Sequence, residues 1–282
     1  MKRKLCHGEE TSVDRQNVNE NNEYKSVLIE LLYQLADDDF ILAYRGSEWL
    51  GLVPHIEADI AYASINQDTM GHAVMYYELL ESLDEGLADE LAHSRKSAER
   101  KNAILLEMAN GTGTYLEKPK YDWAFTVVRH YFYDTYKKLK LEALKQSSYE
   151  PLSHAAMKMK MEQYYHIMHW KVWFNQLCLS KGEGRTRMHA AIQRVWDEME
   201  GLLTYGPKSK LMSEFGLIEE ESLFKQRWEV EMRKVFEEVS LPYPGEPQMK
   251  KGNGRDGYHT EDLNQALSTL SEVYELDPQA SW

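Results

Sequence analysis

Cysteine is almost missing from this chain. Its 282 residues hold two, Cys6 and Cys178, which excludes a disulfide framework and makes a reducing cytoplasm the simplest compartment. Basic charge is outweighed as well: 33 lysines and arginines face 46 aspartates and glutamates, a net charge of −13. No basic stripe with interleaved aromatics runs along the chain, so nucleic acid is excluded as a partner. The longest lysine-rich stretch, Lys137-Lys138-Leu139-Lys140, reads as the solvated face of a helix. No segment reaches the roughly 18 to 20 apolar residues of a membrane span. Lys2, Arg3 and Lys4 have no apolar run behind them, so residues 1–23 read as a disordered leader rather than a secretory signal. A soluble, cytoplasmic protein with no membrane partner is expected.

Proline and glycine are scarce too, 8 and 16 respectively, and the long intervals between them show apolar residues three and four apart. That pattern predicts an all-α chain. From Tyr24 to Trp49 the apolar set is Val27, Leu28, Leu31, Leu32, Leu35, Ile41, Leu42 and Trp49. Pro54 to about Leu83 is a second helix, with proline in its first turn and Ile56, Ile60, Ala63, Ile65, Met70, Val74, Tyr77 and Leu80 facing the core. Tyr121–Gln146 and Pro151–Leu179 form a second pair, the last with Met157, Met161, Tyr165, Met168, Trp170 and Trp173 inward. The stretch Asp84–Pro119 reads as a crossover. Two long hairpins joined by a crossover predict a ferritin-like four-helix bundle over residues 24–282. Additional C-terminal helices (Arg185–Leu203, Glu219–Val239, Thr260–Leu276) form an appendage over about 185–282, too sparse in apolar residues for a core of its own. Thr260 suits a helix N-cap, and Lys250–Gly257 reads as a mobile turn.

A di-iron site in such a bundle takes one carboxylate from each of two helices and a Glu-x-x-His pair from each of the other two. Here the histidines stand without their glutamates. Three residues before His72 is Thr69, and three before His166 is Gln163. Asp39 precedes Thr69 by 30 residues and Asp134 precedes Gln163 by 29, the separation that brings positions level across an antiparallel hairpin. Asp39, His72, Asp134 and His166 are therefore ligand-type positions of a centre that lacks both glutamates. Two carboxylates and two neutral imidazoles match two irons poorly. An inward histidine is by base rate a satisfied core residue, so an iron-free hydrogen-bonded network is the plain alternative. Asp68 and Glu162 fall one residue off the inward phase, and Glu57 and Asp59 lie a turn or more away. All four read as surface charges or supports for the inward residues.

Three stretches carry a resemblance: Arg45-Gly46-Ser47-Glu48-Trp49-Leu50-Gly51 with Pro54-His55-Ile56-Glu57-Ala58-Asp59-Ile60-Ala61; Arg129-His130-Tyr131-Phe132-Tyr133-Asp134; and Gly257-Tyr258-His259-Thr260-Glu261-Asp262-Leu263 near Trp282. In them, from about Tyr33 to the end, the chain resembles the bacterial phenylacetyl-CoA epoxidase (ring 1,2-phenylacetyl-CoA monooxygenase) family, and specifically its structural subunit. The catalytic relative reads Gln-Asp-Glu-Ala-Gly-His where this chain has Gln67-Asp68-Thr69-Met70-Gly71-His72. It reads Glu-Glu-Ser-Phe-His in place of Glu162-Gln163-Tyr164-Tyr165-His166. The resemblance implies no cofactor in this chain, a di-iron centre in a homologous catalytic partner subunit, and further oxygenase and reductase components.

The leading expectation is an interaction protein that stabilises and docks the catalytic subunit, with bundle and tail sharing the contacts. The rivals are an oxygenase acting on an acyl-CoA with its own iron on Asp39, His72, Asp134 and His166, and a metal-storage or stand-alone redox protein. No phosphate loop is present: Gly111-Thr112-Gly113 lacks a dinucleotide context, and Lys181–Arg185 reads as a helix-ending turn. Reductant must come through another subunit.

Overall fold

Asn21 starts the first long helix. Its side-chain oxygen accepts hydrogen bonds from the backbone N–H groups of Glu23 and Tyr24, each 3.1 Å long, so α1 (Asn22–Ser47) begins inside the segment expected to be leader. The computed structural model describes residues 18, 21–278 and 280. The leader through residue 17, with Cys6, and the terminal Trp282 lie outside the described residues.

After α1 come α2 (Ile56–Glu81), α3 (Ala88–His93), α4 (Ile104–Glu107), β1 (Gly111–Thr114), β2 (Glu117–Tyr121), α5 (Trp123–Leu144), α6 (Glu150–Leu179), α7 (Glu183–Trp196), α8 (Glu200–Leu203), α9 (Ser209–Glu214), α10 (Glu221–Glu238) and α11 (Glu261–Leu276). The fold is the all-α, ferritin-like one: α1 pairs with α2 and α5 with α6, a crossover runs from residue 82 to 122, and the remaining helices form a C-terminal layer. Pro54 stands just before the N-cap His55 instead of in the first turn of α2, whereas Pro151 does occupy the first turn of α6. The crossover contains an antiparallel hairpin, β1 against β2, that helical periodicity could not announce. Gly111 pairs there with Tyr121, and a Cβ at Gly111 would lie 2.1 Å from the Lys120 carbonyl oxygen.

The C-terminal layer covers one side of the bundle. Helices α7 and α10 pack on α5, while α9 and α11 pack on α1, and α5 is in consequence buried almost all round. Three consecutive aspartates of α1 each hold a different part of the chain. Asp37 pairs with Arg95 and Arg100 of the crossover, Asp38 with Arg255 of the tail, and Asp39 with Lys137 of α5. Arg255 is buried and bonds both Asp38 oxygens, at 2.9 and 2.8 Å. The stretch 250–257 is thus a plug in the bundle rather than a mobile turn. Thr260 precedes α11 as expected, but its hydroxyl donates to Glu107 Oε1 instead of capping its own helix.

Two other expectations change. The Lys137–Lys140 stretch is not a solvated face, because Lys137 and Lys140 are both buried. Lys137 meets Asp39, and Lys140 Nζ lies 3.8 Å from the centre of the Tyr205 ring, where the π-face stabilises a cation. On α6 the core stripe is Leu152, Ala156, Met159, Gln163, His166, Trp170 and Phe174, while Met157, Met161, Tyr165 and Met168 face outward. Likewise Ile56, Ile60 and Val74 of α2 are exposed. Both helices carry two apolar stripes, and the buried one contains the polar residues.

Candidate functional site

All six ligand-type positions converge on the bundle interior. Asp39, Thr69, His72, Asp134, Gln163 and His166 are each buried, and the His72 and His166 rings lie 6.2 Å apart. The α1/α2 and α5/α6 hairpins bring them level, as the residue separations require.

The half of the site around Asp39 and His72 is closed by a residue that sequence reasoning placed in solvent. Lys137 Nζ donates to Asp39 Oδ1 at 2.7 Å, to Asp39 Oδ2 at 2.8 Å and to His72 Nδ1 at 2.8 Å. Tyr133 adds a hydroxyl bond to Asp39 Oδ1, 2.6 Å long. An ammonium with three acceptors stands where a metal bound by Asp39 and His72 would have to stand. Thr69, in the place of a glutamate, turns its hydroxyl back to the Ile65 carbonyl of its own helix at 2.8 Å. The spacing held the signal for Lys137: it lies three residues after Asp134 on α5, and so on the same inward face.

Each of the two histidines is held by a carboxylate of the other helix. His72 Nε2 donates to Glu162 at 2.7 Å, and His166 Nε2 donates to Asp68 at 3.0 Å. Each carboxylate stands four residues before the histidine of its own helix and reaches the histidine of the other. A metal-binding histidine characteristically turns its second ring N–H to a carboxylate in this way. Burial, and then the Lys137 charge, hold the His72 pKa well below the usual imidazole range. The ring is therefore neutral, donating through Nε2 and accepting through Nδ1.

The other half, around Asp134, is less tightly bonded. Gln163 Nε2 lies 3.4 Å from the Asp134 backbone oxygen. Asp134 Oδ2, Gln163 Oε1 and His166 Nδ1 have no hydrogen-bond partner among the described residues. Burial raises the Asp134 pKa, against the opposing influence of His166 and Gln163.

These residues do not fit a di-iron centre. One carboxylate and one imidazole are engaged by an ammonium, both chelating glutamates are replaced, and among the described residues no group of three or more histidine, cysteine, aspartate or glutamate side chains can hold a metal ion. Next to the site, Tyr62 donates to His130 Nε2 at 2.9 Å while His130 Nδ1 donates to the Thr126 carbonyl, so this histidine is satisfied too. A cavity of about 220 Å³ between α1 and α2 is lined mainly by apolar groups, including Ala43, Trp49, Tyr62, Ala63 and Met70. It contains no histidine, cysteine or lysine. Among the described residues no helix is long and apolar enough to cross a membrane.

Residues 12–282 match the family model described as phenylacetic acid catabolic protein. The chain belongs to this family. It is also 27% identical to the C subunit of the 1,2-phenylacetyl-CoA epoxidase of Escherichia coli (strain K12), over 88% of this chain and 96% of that protein. The resemblance first drawn from three short stretches thus extends over most of the sequence.

Proposed function

We propose that this chain is a non-catalytic structural subunit of a multicomponent di-iron oxygenase. The complex acts on phenylacetyl-CoA in aerobic phenylacetate catabolism, and this chain stabilises and docks a homologous catalytic subunit in the cytoplasm. The reading rests on the Lys137 ammonium bonded to both oxygens of Asp39 and to His72 Nδ1. On the Asp39 and His72 side of the interior, this internal ion pair satisfies the buried polar groups without a metal. On this reading Asp39, His72, Asp134 and His166 are vestigial ligand positions, the di-iron centre belongs to the catalytic partner, and the other oxygenase and reductase components supply electrons. The name of the Escherichia coli relative, a subunit of an epoxidase, supports the assignment to a complex.

The test is iron analysis of the purified chain from iron-replete cells, together with activity on phenylacetyl-CoA of the co-expressed pair and of each chain alone, all supplied with the reductase component and its electron donor. Near-zero iron in this chain and activity only in the pair are expected. About two irons per chain with an oxo-bridge absorption band would support the rival, an acyl-CoA oxygenase with its own centre.

A further inference from the structure

The cavity of about 220 Å³ between α1 and α2 lies apart from the polar interior, and none of the six ligand-type residues lines it. Small residues make it. Ala43, Gly46 and Ser47 of α1 and Ala63 of α2 border the space, and none is long enough to fill it. Gly46 also admits the Asn66 side chain, whose oxygen would lie 1.9 Å from a Cβ at that position.

The aromatic walls are held from behind. Trp49 stands edge-on to Tyr121 and Trp123, with ring centres 5.4 and 5.2 Å away. Tyr62 is edge-on to Trp170 at 4.8 Å and donates its hydroxyl to His130. The turn between α1 and α2 is pinned in its middle, where Gly51 N–H donates to Asp59 Oδ1 at 2.9 Å. Neither ring can swing into the space without giving up these contacts, so the cavity is preformed and an entering ligand has little to order. The way in is open, since Ser47, Leu50 and Gln67 on its rim are exposed.

The lining selects the occupant. A closed apolar cavity of about 150 Å³ stays dry and accepts benzene. This one is somewhat larger and open on one side, room for a single ring with a short substituent but not for a fused polycycle or a nucleotide. The side-chain amides of Asn66 and Gln67 make no hydrogen bond among the described residues, which leaves donors and acceptors for a polar group on the ligand. No lysine, arginine or histidine lines the space, and Asp59 is its one charged group. An anion would be desolvated there beside a carboxylate and without a counter-ion.

We propose that this cavity binds a small single-ring aromatic molecule bearing an uncharged hydrogen-bonding group, with the ring against Trp49, Tyr62 and Met70 and the polar group at Asn66 and Gln67. The assignment stands independently of the function proposed above.

The test titrates the full-length chain, labelled with ¹³C at the methionine methyls, with phenylacetamide and with phenylacetate, its nearly isosteric anion. Met70 lines the cavity, so its methyl signal is expected to shift and saturate with phenylacetamide at a dissociation constant of about 1 mM or lower. The signal of Met232, buried in the C-terminal layer, is expected to stay in place. Phenylacetate should bind at least tenfold more weakly. Ala63→Leu, which fills the space with a good helix former, should weaken phenylacetamide at least tenfold at unchanged Tm. Should that variant not fold, the Met70 shift in the wild type decides alone. No saturable Met70 shift overturns the proposal, as does binding indifferent to a folded Ala63→Leu chain. Phenylacetate or 2-phenylethylammonium binding more tightly than phenylacetamide overturns the uncharged class. Binding to the chain alone that disappears in the co-expressed pair assigns the cavity to a partner side chain and also overturns it.

Discussion

The Lys137 ammonium lies 2.7 and 2.8 Å from the two carboxylate oxygens of Asp39, and both side chains are buried. The energetics of this pair follow from its burial. Removing one member of a buried pair leaves an uncompensated charge, which typically costs about 3–5 kcal/mol, whereas replacing both by apolar groups of similar volume is often neutral or stabilising. Lys137→Met is therefore expected to destabilise the chain by about that amount, and adding Asp39→Leu to restore most of the loss. Denaturant unfolding of wild type and the two variants measures this. A Lys137→Met chain as stable as wild type would show that the pair does not hold the interior together.

Restoring the missing glutamates is not by itself enough to restore a metal site. Thr69→Glu plus Gln163→Glu supplies both Glu-x-x-His pairs, but Lys137 still occupies Asp39 and His72 Nδ1. The double variant is expected to gain little affinity for a divalent cation. Adding Lys137→Ala frees both groups, and Co²⁺ titration followed by its visible ligand-field bands should then report binding in the triple variant. Equal binding by double and triple variants would mean that Lys137 moves aside without cost.

The fold was legible because it depends on periodicity and punctuation, which survive in a single sequence. Long helices, few prolines and the near-equal Asp39–Thr69 and Asp134–Gln163 separations placed the six ligand-type positions in one interior. What could not be read was the choice between two apolar stripes. On α6 the methionine and tyrosine stripe looks like core by composition, yet the buried stripe is the one holding Gln163 and His166. Hydrophobicity alone gives no reason to bury that phase; cross-helix bonds from His72 to Glu162 and from His166 to Asp68 do. Lys137 and Arg255 were missed for the same reason: a buried cation is recognisable only once its carboxylate partner on another element is in view.

The tail gives a prediction that separates cohesion from docking. Arg255 pairs with Asp38, and His259 and Thr260 both bond Glu107, at 2.7 Å from His259 Nδ1 and 2.9 Å from the Thr260 hydroxyl. A chain ending at Met249 loses all three and strands two buried carboxylates. Its own Tm should fall by several degrees or fail to show a cooperative transition, while affinity for the catalytic partner should be unchanged wherever the truncated chain folds. Arg255→Ala is the milder test of the same anchor. Weakened association at unaltered Tm would place the tail in the interface instead.

Asp37 makes the chain acid-sensitive over a definite range. Burial alone would raise its carboxyl pKa, but Arg95 and Arg100 outweigh that and hold it down at about 2, against an ordinary 3.8. A carboxylate whose pKa is lower in the folded state contributes stability that is fully present above the unfolded value and disappears as pH falls through the folded one. From pH 4 to pH 2 the chain should therefore lose on the order of 2 kcal/mol through this group. Asp134, with its pKa raised by burial, works in the opposite sense: its protonation at higher pH favours the folded state, so it cannot account for a loss below pH 4. Asp37→Asn should lower stability at neutral pH, because buried Arg100 loses its carboxylate partner, and should flatten the dependence between pH 4 and 2. Unfolding free energies measured across that interval test both parts, and an undiminished slope in Asp37→Asn would assign the acid sensitivity to other carboxylates.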